Sequence, residues 1–236
     1  YPHLKFIEDN LDGSKILMEK PLFDKIMRLT IRQNKVYVGY NLRFHPMLNK
    51  IKEAIAGRRI WYINVFCGSY LPDWRPDRDY RETSSASMDT GGGVLLELSH
   101  ELDYVQWLLG PLELEYAVSE KVSDLEIETD DFLLLYGQTE EGTHVQISLN
   151  YFTRKRTRRI LIDGDKISIQ GDLITKKLSV INGGEVSEYS WPNLARNDTY
   201  LAQHLAIIED DLEKICSFEE GLNIMRLIEI IRTRQN

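Results

Sequence analysis

Apolar positions along the chain follow three rhythms in turn. In the first forty residues, short apolar runs alternate with helical spacing. Residues 4–10 read as the end of a helix, and Ile16-Leu17-Met18 is a short apolar run closed by Glu19-Lys20-Pro21. Such a run, stopped by a residue that cannot donate to a ladder, predicts a buried strand. Residues 22–33 have helical spacing again, and residues 36–40 form a second β-rich run. Helix, strand, helix, strand is the order of a parallel α/β sheet.

The rhythm then changes. Residues 46–55 have the spacing of an amphipathic helix ended by Gly57, and residues 60–70 alternate as a long strand. Residues 71–90 make a long loop rich in Pro, Asp, Arg and Ser, and loops of that length inside a compact domain usually serve a function. Gly91-Gly92-Gly93 leads into a predicted helix over 94–109, which Gly110-Pro111 ends. From 113 to 190, β-rich runs alternate with turns, two of them hairpin signals at 140–142 and 182–184. Helical spacing returns at 199–215 and 219–234. The predicted fold is α+β: a large, mostly antiparallel sheet faced on one side by helices, preceded by a small piece of parallel α/β sheet.

Composition narrows the function classes. Of 236 residues, 42% are hydrophobic and 28% charged, enough to build a core of ordinary size. The net charge of -8 disfavours a nucleic-acid partner. No apolar run approaches the roughly 20 residues of a membrane span, and the polar start carries no signal-peptide core, so a cytoplasmic location is expected. The two cysteines, Cys67 and Cys216, have no paired spacing for a zinc ribbon or redox dithiol and suit a reducing compartment. One basic run, from Arg154 to Arg159, is either a solvated strand end or a site for an anionic ligand.

Three groups of residues carry candidate chemistry. Lys20 stands at the end of a predicted strand, where open α/β sheets bind ligands. Glu97, His100 and Asp103 are spaced by three on one predicted helix, which sets them near one face. A histidine there suits proton transfer near neutral pH, with a carboxylate one turn away to orient it. The same Glu-x-x-His spacing occurs in carboxylate metal sites, which need a second carboxylate-bearing helix. The C-terminal helices offer Glu209, Asp210, Asp211 and Glu213 but no second such motif, so no metal is assigned. The loop brings Trp74 and Arg75, with Arg78, Tyr80 and Arg81, as groups suited to sugar rings and anions, and Arg43 stands in the turn over 39–44.

Taken together, the motifs form a pattern. Glu19-Lys20-Pro21 after an apolar strand resembles the Glu-Lys-Pro motif of the glucose–fructose oxidoreductase and inositol dehydrogenase (Gfo/Idh/MocA) family. Residues 38–46, VGYNLRFHP, resemble the segment entering that family's second domain. Residues 91–103, GGGVLLELSHELD, resemble its glycine-led helix, and residues 158–164, RRILIDG, its late strand–turn–strand. The motifs stand in the family's order and cover nearly the whole chain.

This resemblance implies a substrate-binding and oligomerisation sheet domain over 41–236, with residues 1–40 as the end of a Rossmann-type dinucleotide-binding domain. The implied activity is hydride transfer between a sugar, sugar derivative or cyclitol hydroxyl carbon and NAD or NADP. His100 would be the proton-transfer group and Lys20 would polarise the same oxygen. Glu19, Lys20 and Pro21 would meet the cofactor, while Arg43, Trp74, Arg75 and Asp103 would meet the substrate. A homo-oligomer would form through the open face of the sheet.

Two departures from the family pattern qualify these expectations. The family has Asp four residues before its helix histidine; here that position is Leu96, and Glu97 is the expected substitute. The chain also contains no G-x-G-x-x-G, so it alone is expected to bind cofactor poorly and to be inactive by itself. The reading from another class is a non-catalytic ligand-binding or dimerisation module built on the same sheet.

Overall fold

The computed structural model describes residues 2–26 and 29–234. The chain opens with helix α1 (Pro2–Asn10), then strands β1 (Lys15–Met18) and β2 (Lys35–Val38), which pair in parallel. The helix expected over 22–33 does not form in its described part, and residues 27 and 28 lie outside the described residues. Leu22 and Phe23 are instead buried in extended or bent backbone, with Phe23 edge-on to Phe218 at 6.5 Å. Tertiary burial here overrides the helical spacing.

Helix α2 (Pro46–Ile55) has the expected bounds. Proline at its first position costs no hydrogen bond, and the His45 Nδ1 accepts from the Met47 N–H as its cap. Strand β3 (Ile60–Gly68) follows, burying Ile63, Val65 and Cys67 on one side. The expected long loop is a series of short 3-10 turns between residues 71 and 90.

The helix expected over 94–109 is two helices, α3 (Val94–Glu97) and α4 (His100–Leu109), with Leu98 and Ser99 between them. The backbone bends there because Ser99 N–H reaches back to Leu96 and Glu101 N–H to Leu98, a tighter pattern than the α-helix. The glycines before α3 are required by protein packing. A Cβ on Gly92 would collide with the carbonyls of Ser84 and Ser85, and one on Gly93, at φ 103°, with the Asp130 carboxylate.

Strands β4 (Leu112–Glu120), β5 (Phe132–Thr139), β6 (His144–Asn150), β7 (Thr157–Gly164), β8 (Ile167–Asp172), β9 (Lys177–Asn182) and β10 (Glu185–Ser190) complete the large sheet. Among the described residues its order is β10-β9-β8-β7-β3-β6-β5-β4. All neighbours are antiparallel except β3 and β6, which run parallel. The period-2 pattern buries Val145, Ile147 and Leu149 of β6 beneath the helices and turns Gln146 and Ser148 to the opposite, open face.

The helical signal over 199–215 stops earlier than expected, at the end of α5 (Asp198–Ile208). Residues 209–215 are turns, with Asp210 at positive φ. Strand β11 (Cys216–Ser217) then joins β2, and α6 (Phe218–Thr233) starts with a capping box between Ser217 and Glu220. The C-terminal segment thus returns to the small sheet, whose order is β1-β2-β11. One apolar core runs from Leu4 and Val38 of this part to Ile169 and Leu178 of the large sheet. Cys67 and Cys216 are both buried and free.

Candidate functional site

The carboxyl end of β1 leads directly into Glu19, Lys20 and Pro21. Glu19 is exposed; Lys20 and Pro21 are half-buried. The Lys20 Nζ donates to the backbone carbonyl of Glu97 at 2.6 Å, joining the strand end to the end of α3. Burial lowers the Lys20 ammonium from its ordinary range; the Glu97 charge opposes this and the Arg158 charge adds to it.

His100 opens α4 with its imidazole half-buried and its Nδ1 enclosed without a hydrogen-bond partner. Its ring meets Tyr40 edge-on at 5.6 Å. Burial first, then the positive charges of Lys20 and Arg158, hold the imidazole well below its usual titration range. It is therefore neutral at neutral pH and able to accept a proton.

Glu97 does not meet His100 as the helical spacing predicts. The break at Leu98 and Ser99 puts the two residues on different helices, and the Glu97 Oε1 accepts from Ser85 Oγ at 3.0 Å. The contribution of Glu97 to this corner is its backbone carbonyl on Lys20. Leu96, where the family has Asp, is buried in the core.

Arg43 and Asp103, expected at the substrate, form a buried ion pair instead. Arg43 Nη2 and Nε donate to Asp103 at 2.7 and 3.1 Å, and its Nη1 donates to Glu220 Oε1 at 2.7 Å. Arg43 is 2% exposed and Asp103 0%. The pair joins the 3-10 turn Asn41–Phe44 to α4 and α6, so its hydrogen-bonding capacity is spent inside the protein.

In the loop, Trp74 is half-buried, donates its Nε1 to Ser69 Oγ at 2.8 Å and packs edge-on to Tyr151 at 5.3 Å. The Tyr151 hydroxyl is buried beside it without a partner. Arg75 is exposed. Tyr80 and Arg81 hold the loop closed: the Tyr80 hydroxyl accepts from the Glu126 N–H, and Arg81 pairs with Asp79 and Glu126.

The basic run divides. Arg154 lies over the Tyr70 ring at 3.7 Å and Arg159 reaches Asp172 at 3.8 Å. Arg158 turns inward and grips Glu101 through two hydrogen bonds of 2.6 and 3.0 Å. Sequence reading did not single out Glu101 or Tyr151. For Glu101 a signal existed: a carboxylate follows His100 directly within the largely apolar stretch 94–109. Among the described residues, no group of three or more His, Cys, Asp or Glu could hold a metal ion. Nor is any helix among them long and apolar enough to cross a membrane.

The model of the GFO/IDH/MocA C-terminal domain matches residues 48–170. YteT of Bacillus subtilis (strain 168), named as an oxidoreductase, is 27% identical over 126 residues, 46% of this chain and 27% of that protein. Among solved structures, levoglucosan dehydrogenase in complex with NADH and levoglucosan aligns with TM-score 0.77 and 17% identity, covering 93% of this chain and 71% of that one. The WlbA dehydrogenase from Bordetella pertussis, in complex with NADH and UDP-GlcNAcA, aligns with TM-score 0.67 and 20% identity over 93% of this chain and 69% of that one. UDP-N-acetylglucosamine 3-dehydrogenase GnnA from Acidithiobacillus ferrooxidans gives TM-score 0.66 and 15% identity over 85% and 61%. At these identities the structures share the fold, and this chain spans part of each relative's length.

Proposed function

The chain belongs to the GFO/IDH/MocA family, and on that premise we propose that it forms the substrate side of an NAD(P)-dependent oxidoreductase acting on a sugar, sugar derivative or cyclitol hydroxyl. In this reading residues 1–40 end a dinucleotide-binding unit and residues 41–236 form the substrate and oligomerisation unit. The observation that carries it is that two proton-handling groups, Lys20 beyond β1 and His100 at the start of α4, lie within electrostatic reach of each other, with Lys20 bonded to the turn before α4. Lys20 is a cation whose ammonium form is disfavoured by burial, and His100 is a neutral imidazole with an unpartnered Nδ1.

The fit to a nicotinamide cofactor rests on two features of this corner. Lys20 follows the carboxyl end of a parallel strand, the place where such sheets bind nucleotides. Its Nζ gives one of three hydrogens to Glu97, which leaves donors for an added acceptor. Glu19, Lys20 and Pro21 would line the nicotinamide end. When bound, the cofactor would supply the hydride acceptor.

The work of this chain's own residues is then to hold and move a proton. Lys20 donates to the reacting hydroxyl oxygen and favours its negative charge. His100 takes the hydroxyl proton, for which its neutral form is required. Glu97 fixes Lys20 through its carbonyl. Half-buried Trp74, backed by the buried Tyr151 ring, offers an aromatic edge suited to a sugar, and the exposed Arg75 follows it in the loop.

The open face of the sheet is the proposed self-association surface. It carries exposed Tyr116 (56%), with Leu134 and Tyr136 on the neighbouring strand. The proposed activity is tested by joining the chain to a Rossmann-type unit that supplies the G-x-G-x-x-G loop and following nicotinamide reduction at a panel of sugars, sugar acids, nucleotide-linked sugars and cyclitols. Turnover of one class identifies the substrate; no turnover of any with either cofactor would refute the reading.

A further inference from the structure

Glu101 is 0% exposed, yet it carries a carboxylate in the first turn of α4. Its counter-charge comes from another layer: Arg158 of β7 reaches up with Nε on Oε1 at 2.6 Å and Nη2 on Oε2 at 3.0 Å. This two-pronged geometry fixes both distance and orientation. Burial opposes the Arg158 charge, but the Glu101 carboxylate outweighs it and holds the guanidinium above its ordinary value. Burial, then the Glu101 charge, push the adjacent Cys67 thiol up to about 12.

The residue immediately before Glu101 is His100. We propose that the Glu101–Arg158 pair is the positioning element of this site, clamping the first turn of α4 to the sheet so that His100 is held beside Lys20 with Arg158 as a second cation within electrostatic reach. The inference rests on the reading of His100 and Lys20 as the proton-handling groups, and adds two residues that act through them.

The groups facing His100 are few. Lys20 comes from the end of β1, Arg158 from β7 and the Tyr40 phenol from the end of β2; Glu101 lies on the histidine's own helix and Glu97 at the end of α3 beyond Lys20. Lys20 and Arg158 both disfavour protonation of the imidazole. The pair therefore serves geometry and charge together. Glu101 neutralises Arg158 on the far side, and the guanidinium still acts on His100.

The two roles separate by substitution. Arg158→Lys keeps the cation and loses the fork. The double substitution Arg158→Met with Glu101→Met removes both charges while keeping apolar volume, a change that buried pairs often tolerate. The measurement is histidine ring NMR across pH on the folded chain, read against the ordinary imidazole value of about 6.5. His45, which also senses Arg158, is a second reporter.

The expected result is that His100 titrates below the ordinary imidazole value in the unmodified protein and moves up toward it in the double variant. It should stay low in Arg158→Lys, with altered ring shifts reporting the lost orientation. An unmoved His100 in a folded double variant would overturn the proposal. So would an equal upward move in Arg158→Lys, which would mean loosened packing and not charge. Should the double variant not fold, Arg158→Met with Glu101→Gln serves the same comparison. None of these outcomes depends on turnover, so failure of the dehydrogenase reading would be seen separately, in the sugar panel.

Discussion

The Lys20 ammonium donates to the backbone carbonyl of Glu97 at 2.6 Å, and this bond links the small parallel sheet to the short helix that leads into His100. The link uses a main-chain oxygen, so no side-chain change at Glu97 removes it. Replacing Lys20 by Met deletes one half-buried hydrogen bond, worth about 1 kcal/mol. Thermal denaturation should therefore shift by only a few degrees. In the chain joined to a Rossmann-type unit that supplies the phosphate-binding loop, the rate of nicotinamide reduction should fall by about 100-fold or more, since a positioned proton-transfer group contributes on that order.

Arg43 and Asp103 make the opposite prediction, a large effect on folding. Arg43→Met leaves the Asp103 carboxylate buried without its partner, which costs roughly 3–5 kcal/mol. Adding Asp103→Leu should recover much of that loss. Urea denaturation of the single and double variants checks this; additive losses would show that the two residues act independently.

His45 predicts how stability depends on pH. Burial, then the charges of Arg158 and Lys176, hold its imidazole down at about 4. An unfolded histidine titrates near 6.5, so below that pH the unfolded chain gains a proton that the folded chain refuses. Stability is fully present above about pH 6.5 and is lost as pH falls toward 4, by roughly 3 kcal/mol at most from this group. Protonation also removes the acceptor that caps α2. His45→Asn keeps a capping acceptor without the titration, so the difference between the two denaturation profiles should open across this window and be flat above it.

The open sheet face predicts concentration-dependent association. Sedimentation should show a species larger than one chain. Tyr116→Glu with Leu134→Glu, which sets two charges on the open face of the neighbouring strands β4 and β5, should reduce it to the single chain. Association unchanged by this pair would move the interface elsewhere.

Much of the architecture was legible in the sequence, because period-2 and period-3.6 patterns report directly which side of an element is buried. The bounds of α2 and the hairpin at Gly183-Gly184 follow from proline and glycine alone. The helix expected over 22–33 was misread because spacing cannot sense that Leu22 and Phe23 are buried by α6, nearly 200 residues on. The break at Leu98-Ser99 was also hidden, since both residues are compatible with a helix, and it undid the expected Glu97–His100 contact. Arg43 and Asp103 were each expected at the substrate, and the sequence could not show that they meet each other across 60 positions. Arg158 and Glu101 are 57 positions apart and join through sheet topology.

The most direct test is the initial rate of nicotinamide reduction for the chain joined to a Rossmann-type unit that supplies the phosphate-binding loop, and for its His100→Asn variant, across the sugar panel and with both NAD+ and NADP+. The account predicts turnover of a sugar-type alcohol by the unmodified protein and a loss of about 100-fold or more in the variant, with cofactor affinity little changed. Equal rates in the two proteins would contradict the assignment of His100 as the group that takes the proton.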